Sequence, residues 1–255
     1  MKIKVLGCSG SEAIGHNTPG FLVNDVLMLD AGTISAALNL EAQTKISDVL
    51  ISHPHLDHVK GALFLADNVI GRTSKPVNIR ALPEVIEAIR RHLMNNIIWP
   101  DFTKIPDAKN PVLAYKSFRA GESMRIAGLS VKAVPMNHPV PAVGFLVGDG
   151  KSSVLYSADT GPNELLWAEA RKAKNLKAVI VDTSFPDSFH ALADVSGHFT
   201  PLQLHRDMEK AGVNRGVPIY IYHIKPAYEA KVLRDLRAMG RKNVKVLQEG
   251  KTYRF

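Results

Sequence analysis

Cysteine is all but missing from this 255-residue chain. Cys8 stands alone, so no internal disulfide can form, and any metal held here must be held by imidazoles and carboxylates rather than thiolates. No stretch approaches the roughly 20 consecutive apolar residues of a membrane span. The opening "MKIKVLGCSGSE" has neither the long apolar run nor the small-residue cleavage site of a secretory signal. With a single thiol, these features set a cytoplasmic location as the expectation. Low-complexity tracts and repeats at a solenoid-like period are absent. The formal net charge is +8, yet Lys and Arg are scattered. The densest basic stretch, "RDLRAMGRKNVK", reads as the end of an amphipathic helix rather than a nucleic-acid tail. Such a field speeds encounter with anions, although a solvated basic surface is the simpler reading of charge alone.

What remains is an ordinary globular composition, 45% apolar and 22% charged, at a length that one core can serve. A single domain over residues 1–255 is expected. Short β-like runs lead: "KIKVLG" (2–7), "FLVND" (21–25), "VLMLDAG" (26–32) and the nearly continuous apolar "DVLISH" (48–53). "VKGALFLADNVIG" then has helical spacing. After the strand "PVNIRAL" and the helix "PEVIEAIRRHLMNNII", the Pro-punctuated "WPDFTKIPDAKNP" (99–111) reads as a lid, binding loop or linker. "SMRIAGLSVKAVPM", "AVGFLVGD" and "SSVLYSAD" open a second strand-rich section. A helix over 163–174, the strand "LKAVIVD", a helix near 201–211, "PIYIYH" and a helix begun by Pro226 follow. Strands leading each half, with helices alternating later, predict an α/β fold of two face-to-face sheets with helices outside, an αββα four-layer sandwich.

The chemistry concentrates in "SHPHLDHVKG" (52–61). His53, His55 and Asp57 alternate, so in extended backbone they share a side, while His58 points elsewhere. One turn can therefore aim His53 and His55 at one cation and leave Asp57 and His58 for a second. Three more residues have the right character and the right place. His138 follows "LSVKAVPM", Asp159 follows "SSVLYSA", and His223 follows "PIYIY". Each is a ligand type at the end of an apolar strand, where a loop opens.

This arrangement, H-x-H-x-D-H after a strand and then His, Asp and His after later strands, resembles the metallo-β-lactamase superfamily. "HPHLDHVKGAL", "NTPGFLV", "IIWPDF", "ADTGPNELLW", "AVIVDTSFPD", "SGHFTP" and "HIKP" extend the resemblance to the class II 3′,5′-cyclic-nucleotide phosphodiesterases, over most of the chain. One departure stands at "FLAD" (64–67), where that family runs on through aliphatics to Ser. It falls on the helix behind the site. The resemblance implies a dinuclear centre, most often zinc. His53, His55 and His138 would hold one ion and Asp57, His58 and His223 the other, with Asp159 between them. Manganese or iron also suits an N/O donor set. Two such ions about 3.5–4 Å apart can share a hydroxide that attacks phosphorus in line. Cyclic AMP or cyclic GMP would thereby open to the nucleoside 5′-monophosphate.

Asp57 and His198, the latter in "SGHFTP", are the catalytic candidates. His198 would serve as general acid or phosphate contact, or alternatively cap the helix starting near Thr200. His16 and Thr18 are candidates for the phosphate or the pocket wall, His16 equally a plain loop residue. Trp99 and Phe102 are candidates for stacking on a base, or else core plugs beneath their loop. Asp182 and Ser184 are expected to orient a metal-bound histidine, unless Asp182 caps a turn.

The implied partner is a small cyclic nucleotide, with no membrane, nucleic acid disfavoured, and a homodimer left open. Two rivals are distinguishable. A ribonuclease Z-like tRNA 3′-processing nuclease shares the ligand pattern. However, no His-Glu-Ala-Thr block or Gly/Lys-rich arm is present, and the short segment 139–158 cannot carry a large insertion. A non-catalytic nucleotide sensor would have no need of a complete ligand set.

Overall fold

A computed structural model describes residues 1–212 and 216–255. The first sheet is built from β1 (Lys2–Gly7), β2 (Gly20–Val23), β3 (Leu27–Leu29), β4 (Asp48–Leu50), β5 (Val77–Ala81) and β6 (Leu113–Ser117). The second contains β7 (Ser123–Ile126), β8 (Leu129–Pro135), β9 (Val143–Gly148), β10 (Ser153–Tyr156), β11 (Leu176–Asp182), β12 (Ile219–Tyr222) and β13 (Val244–Val246). The last strand, β14 (Thr252–Arg254), returns to the first sheet beside β1, so the orders are β14-β1-β2-β3-β4-β5-β6 and β13-β12-β11-β10-β9-β8-β7. The helices are α1 (Leu40–Gln43), α2 (Leu56–Val69), α3 (Pro83–His92), α4 (Glu164–Lys172), α5 (His190–Ser196), α6 (Pro201–Lys210) and α7 (Glu229–Ala238). Among the described residues, no helix is long and apolar enough to cross a membrane.

Side-chain alternation explains the layers. Along β10 and β11, Val154, Tyr156, Ala178 and Ile180 enter the core between the sheets, where Tyr156 meets Phe21 (5.0 Å) on the face that Phe21 shares with its register partners Leu29 and Leu50. Their neighbours Leu155, Val179 and Val181 face the other way, onto Leu166, Trp167, Leu204, Met208 and Val232 of α4, α6 and α7. On the far side, Val59, Ala62, Leu65 and Ala66 of α2 and Val85 and Ile89 of α3 cover the first sheet. The expected αββα sandwich is thus the observed one.

The strand-rich "SMRIAGLSVKAVPM" forms a hairpin, because Ala127 (φ 49°) and Gly128 (φ 80°) both adopt the left-handed backbone of a tight two-residue turn. Two segments depart from the sequence reading. The short α5 was not anticipated. The segment 99–111 is pinned inward, with Phe102 in the core and the Val112 and Leu113 amides donating to the carbonyls of Ile105 and Phe102.

Candidate metal centre

β3 and β4 run parallel, as do β10, β11 and β12, and the carboxyl edges of such strands are where loops open and sites assemble. β4 leads into Ser52 and His53, β8 toward His138, β10 toward Asp159, β11 into Asp182, and β12 directly into His223. α2 supplies the remainder. His55 is its extended N-cap, so Asp57 and His58 lie in its first turn, where the helix dipole favours the carboxylate. The start of α2 is fixed from below, the Ala31 amide donating to His58 O (2.8 Å) and the Gly61 amide to Ala31 O (2.6 Å). Gly32 is needed for this approach, since a Cβ there would lie 1.9 Å from Asp57 O.

Among the described residues three overlapping groups result, each offering ligand atoms within 4.8 Å of one another: His53, His55, His138 and Asp159; Asp57, His58 and His223; and Asp159, Asp182, His198 and His223. The Asp159 carboxylate faces both His-rich groups. Its Oδ1 is 3.3 Å from His58 Nε2, and its Oδ2 is 3.3 Å from His223 Nε2 and 3.6 Å from His53 Nε2. His58 and His223 present Nε2 to Nε2 at 3.3 Å, and His138 Nε2 lies 3.3 Å from His55 Nδ1. His53 is fully buried, yet among the described residues its Nε2 has no hydrogen-bond partner. A buried ring nitrogen is rarely left so, and nitrogens facing nitrogens across a carboxylate are a donor set aimed at cations. The residues fit divalent metal ions.

The opposite ring atoms are held from behind, which sets the tautomers. His53 Nδ1 meets Ser52 Oγ (2.9 Å), His58 Nδ1 meets Asp30 Oδ2 (2.8 Å), His223 Nδ1 meets Ser184 Oγ (2.8 Å), and His138 Nδ1 meets Gly197 O (3.1 Å). Asp30 is the hub that sequence reasoning missed. Wholly buried, it accepts also from the Ser52 amide (2.8 Å), Ser52 Oγ (2.8 Å) and the Tyr156 hydroxyl (2.6 Å). The signal was available, since Asp30 ends the apolar run "VLMLD" just as Asp159 follows its own strand.

Charge follows this geometry. Burial, and then the neighbouring charge of His58, hold His53 well below the ordinary imidazole range. Burial would do the same to His58, but Asp159 and Asp30 push it well above. The two rings differ in carboxylate contact, not in depth. Burial would raise Asp159, yet His223 and His58 hold it well below the usual carboxylate range. Asp57 is likewise kept low against burial, by the His223 hydrogen bond and the His58 charge.

His198 is buried beside this cluster, its ring stacked on His223 (5.2 Å between centroids) and 5.3 Å from His138. Its Nδ1 donates to Asp182 Oδ2 at 2.6 Å. Helix capping falls instead to Thr200, in a reciprocal box with Gln203. Ser184 Oγ donates to Asp182 Oδ1 (2.7 Å) and meets His223 Nδ1 (2.8 Å), which puts both residues behind His223.

Two expectations about substrate contacts, Thr18 and Phe102, need correction. Thr18 is 2% exposed and its hydroxyl meets Thr33 Oγ1 at 3.3 Å, so it presents nothing to a ligand. Phe102 is 3% exposed and belongs to the hydrophobic core; a ring buried to that extent cannot stack on a base. His16 has protein partners for both nitrogens, Ser9 Oγ at 3.3 Å and the Glu229 carboxylate at 3.9 Å. Trp99 is only half-buried, edge-on to Phe64 (5.4 Å), with its Nε1 donating to Leu63 O on α2.

The family described as "Beta-lactamase superfamily domain" matches residues 24–221, and the chain belongs to it. A probable 3′,5′-cyclic-nucleotide phosphodiesterase of Yersinia pestis is 26% identical over 279 residues, spanning 89% of this chain and 79% of the relative. The 3′,5′-cyclic-nucleotide phosphodiesterase 1 of Saccharomyces cerevisiae is 24% identical over 81% of this chain and 67% of its own. Among solved structures, unliganded yeast PDE1 superposes with a TM-score of 0.82 at 19% identity, covering 98% of both chains. The short form of human tRNase Z superposes at 0.70 and 15% identity, over 100% of this chain and 99% of that one. These likenesses establish the metallo-β-lactamase fold.

Proposed function

We propose that residues 1–255 form one hydrolase domain, a metal-dependent phosphodiesterase that opens a 3′,5′-cyclic nucleotide to the nucleoside 5′-monophosphate. The observation that carries this is Asp159, whose two oxygens face the imidazoles of two adjoining groups of ligands. Relatives named as cyclic-nucleotide phosphodiesterases, alike over most of their length, supply the substrate class.

In this reading His53, His55 and His138 hold one ion, Asp57, His58 and His223 a second, and Asp159 stands between. Zinc is the expected occupant of such a thiolate-free set, with manganese or iron as alternatives. Bound there, two divalent cations would offset phosphate charge and activate water for in-line displacement. The chain's own part is positional and protonic. Asp182 holds Nδ1 of His198, leaving Nε2 as the atom free to meet substrate. Burial would strip the ring of its proton, but Asp182 reverses this and raises His198 above the ordinary imidazole range. The shift favours the charged form of the ring, from which His198 would deliver a proton to the departing 3′ oxygen. Trp99 is the aromatic available to the base. The substrate is a small molecule rather than a nucleic acid.

The test is to incubate metal-loaded protein with 3′,5′-cyclic AMP, 3′,5′-cyclic GMP, a 2′,3′-cyclic nucleotide and precursor tRNA. Hydrolysis of a 3′,5′-cyclic nucleotide to the 5′-monophosphate is expected. Cleavage of tRNA alone, or binding without turnover, would overturn the reading.

A further inference from the structure

We propose that Tyr222 is a positioning residue for the metal centre, its hydroxyl fixing the Asp159 carboxylate between the two groups of ligands. The proposal rests on the metal-dependent reading above. Along β12, Ile219 and Ile221 face the helices, while Tyr222 turns into the core between the sheets, where it is 1% exposed. There it packs against Phe21 (5.7 Å) and Tyr156 (5.3 Å). A phenylalanine would satisfy that apolar packing. A phenol in such a place is unfavourable unless it finds an acceptor, and the acceptor it finds is Asp159 Oδ1, at 3.2 Å.

The neighbouring phenol repeats the pattern. Tyr156 is fully buried and donates to Asp30 Oδ2 at 2.6 Å, on the same oxygen that holds His58 Nδ1 at 2.8 Å. Two adjacent tyrosines from the parallel strands' second sheet thus deliver their hydroxyls to two carboxylates of the site. One of these lies behind a ligand histidine; the other lies between the groups. A carboxylate can only accept, so in this pair the phenol hydroxyl is the donor. With Oδ1 engaged, the carboxylate cannot rotate freely about its last bond. Its orientation toward His53, His58 and His223 is thereby set before any ion arrives.

The experiment compares the parent, Tyr222→Phe and, as a remote control, Tyr115→Phe, whose hydroxyl meets Met94 Sδ at 3.4 Å. Zinc affinity is read by chelator competition, and the visible spectrum is read after cobalt substitution. Loss of a carboxylate's or histidine's supporting partner costs about 10–100-fold in metal affinity. We expect that loss, together with an altered cobalt spectrum, in Tyr222→Phe and neither change in Tyr115→Phe. The melting temperature of the metal-free protein separates this from a merely structural role, which would move melting and leave affinity alone. Zinc affinity within twofold of the parent overturns the proposal. Should Tyr222→Phe fail to fold, the parent still decides: zinc must perturb the ultraviolet absorption of buried tyrosine, and a flat difference spectrum overturns the proposal. A parent that binds no divalent cation overturns the metal-dependent reading itself, whereas equal binding by parent and variant removes only the tyrosine's role.

Discussion

Asp182 divides its two oxygens between two tasks. Oδ2 takes the Nδ1 proton of His198, while Oδ1 takes the hydroxyl proton of Ser184, which is then free to accept from His223 Nδ1. One buried carboxylate therefore stands behind both a proposed ligand and a proposed acid, and substitutions should separate the two roles. Asp159→Ala removes the one residue facing both groups, so bound metal and turnover should vanish together; elemental analysis beside an activity assay checks this, and full activity would refute the assignment. His198→Ala should keep its metal while turnover falls about 10²–10⁴-fold, the span of a lost general acid. Loss of metal there would make His198 a ligand instead. Cys8 offers a different kind of check. Burial, and then the charges of Glu249 and Glu229, push its thiol from 9.0 up to about 12. The folded protein thus keeps a proton that the unfolded chain releases above pH 9. Stability from this group is complete below pH 9 and falls between pH 9 and 12, by about 1.4 kcal/mol per pH unit at most. Thiol reagents at pH 8 should label Cys8 only in denaturant, and denaturant midpoints measured across that window should decline.

At the level of elements, the start of α2 decides whether "HPHLDH" becomes a site. The β4 strand end delivers His53 and the first helical turn delivers Asp57 and His58, but only because the backbone at residues 30–32 comes against that turn. Gly32→Ala would drive a methyl into Asp57 O, 1.9 Å away, and into Pro19 O, 2.7 Å away. Neither neighbour is a flexible side chain, so α2 must shift. A loss of about 1–3 kcal/mol is expected, with metal affinity falling as well, measurable by urea denaturation and zinc titration. This contact also shows what pattern reading reaches. The seven candidate ligands were legible because imidazoles and carboxylates at the ends of apolar strands are chemically conspicuous. Asp30 also ends an apolar run, as Asp159 follows one, and went unread. Thr18 and Phe102 were misplaced. They lie in segments alike to the family's, yet burial depends on contacts with residues distant in the chain, Thr33 in one case and the hydrophobic core in the other. Asp30, Ala158 and His223 have positive φ (55°, 53° and 67°). Non-glycine residues in that region cost of order 1–3 kcal/mol each, and local propensity cannot foretell a cost that tertiary contacts impose.

For the whole molecule, the centre lies across the join between the two sheets. His53, His55, Asp57 and His58 come from the β4–α2 connection, while His138, Asp159 and His223 follow strands of the other sheet. An ion that takes ligands from both holds the halves of the sandwich together at their carboxyl edge, in addition to the apolar core between them. A species that binds only the folded chain stabilises it by mass action, about 2.7 kcal/mol for one site when free metal is a hundredfold above its dissociation constant. For a chain of this size each kcal/mol moves melting by about 2–4 °C. Chelation should therefore lower the melting temperature by about 5–10 °C, and zinc should restore it. The same treatment of Asp159→Ala, which lacks the carboxylate facing both groups, should produce a much smaller shift. If chelation leaves the parent's melting unchanged while still removing its metal, the ions are bound without bridging the sheets, and the proposed division of ligands between the two halves fails.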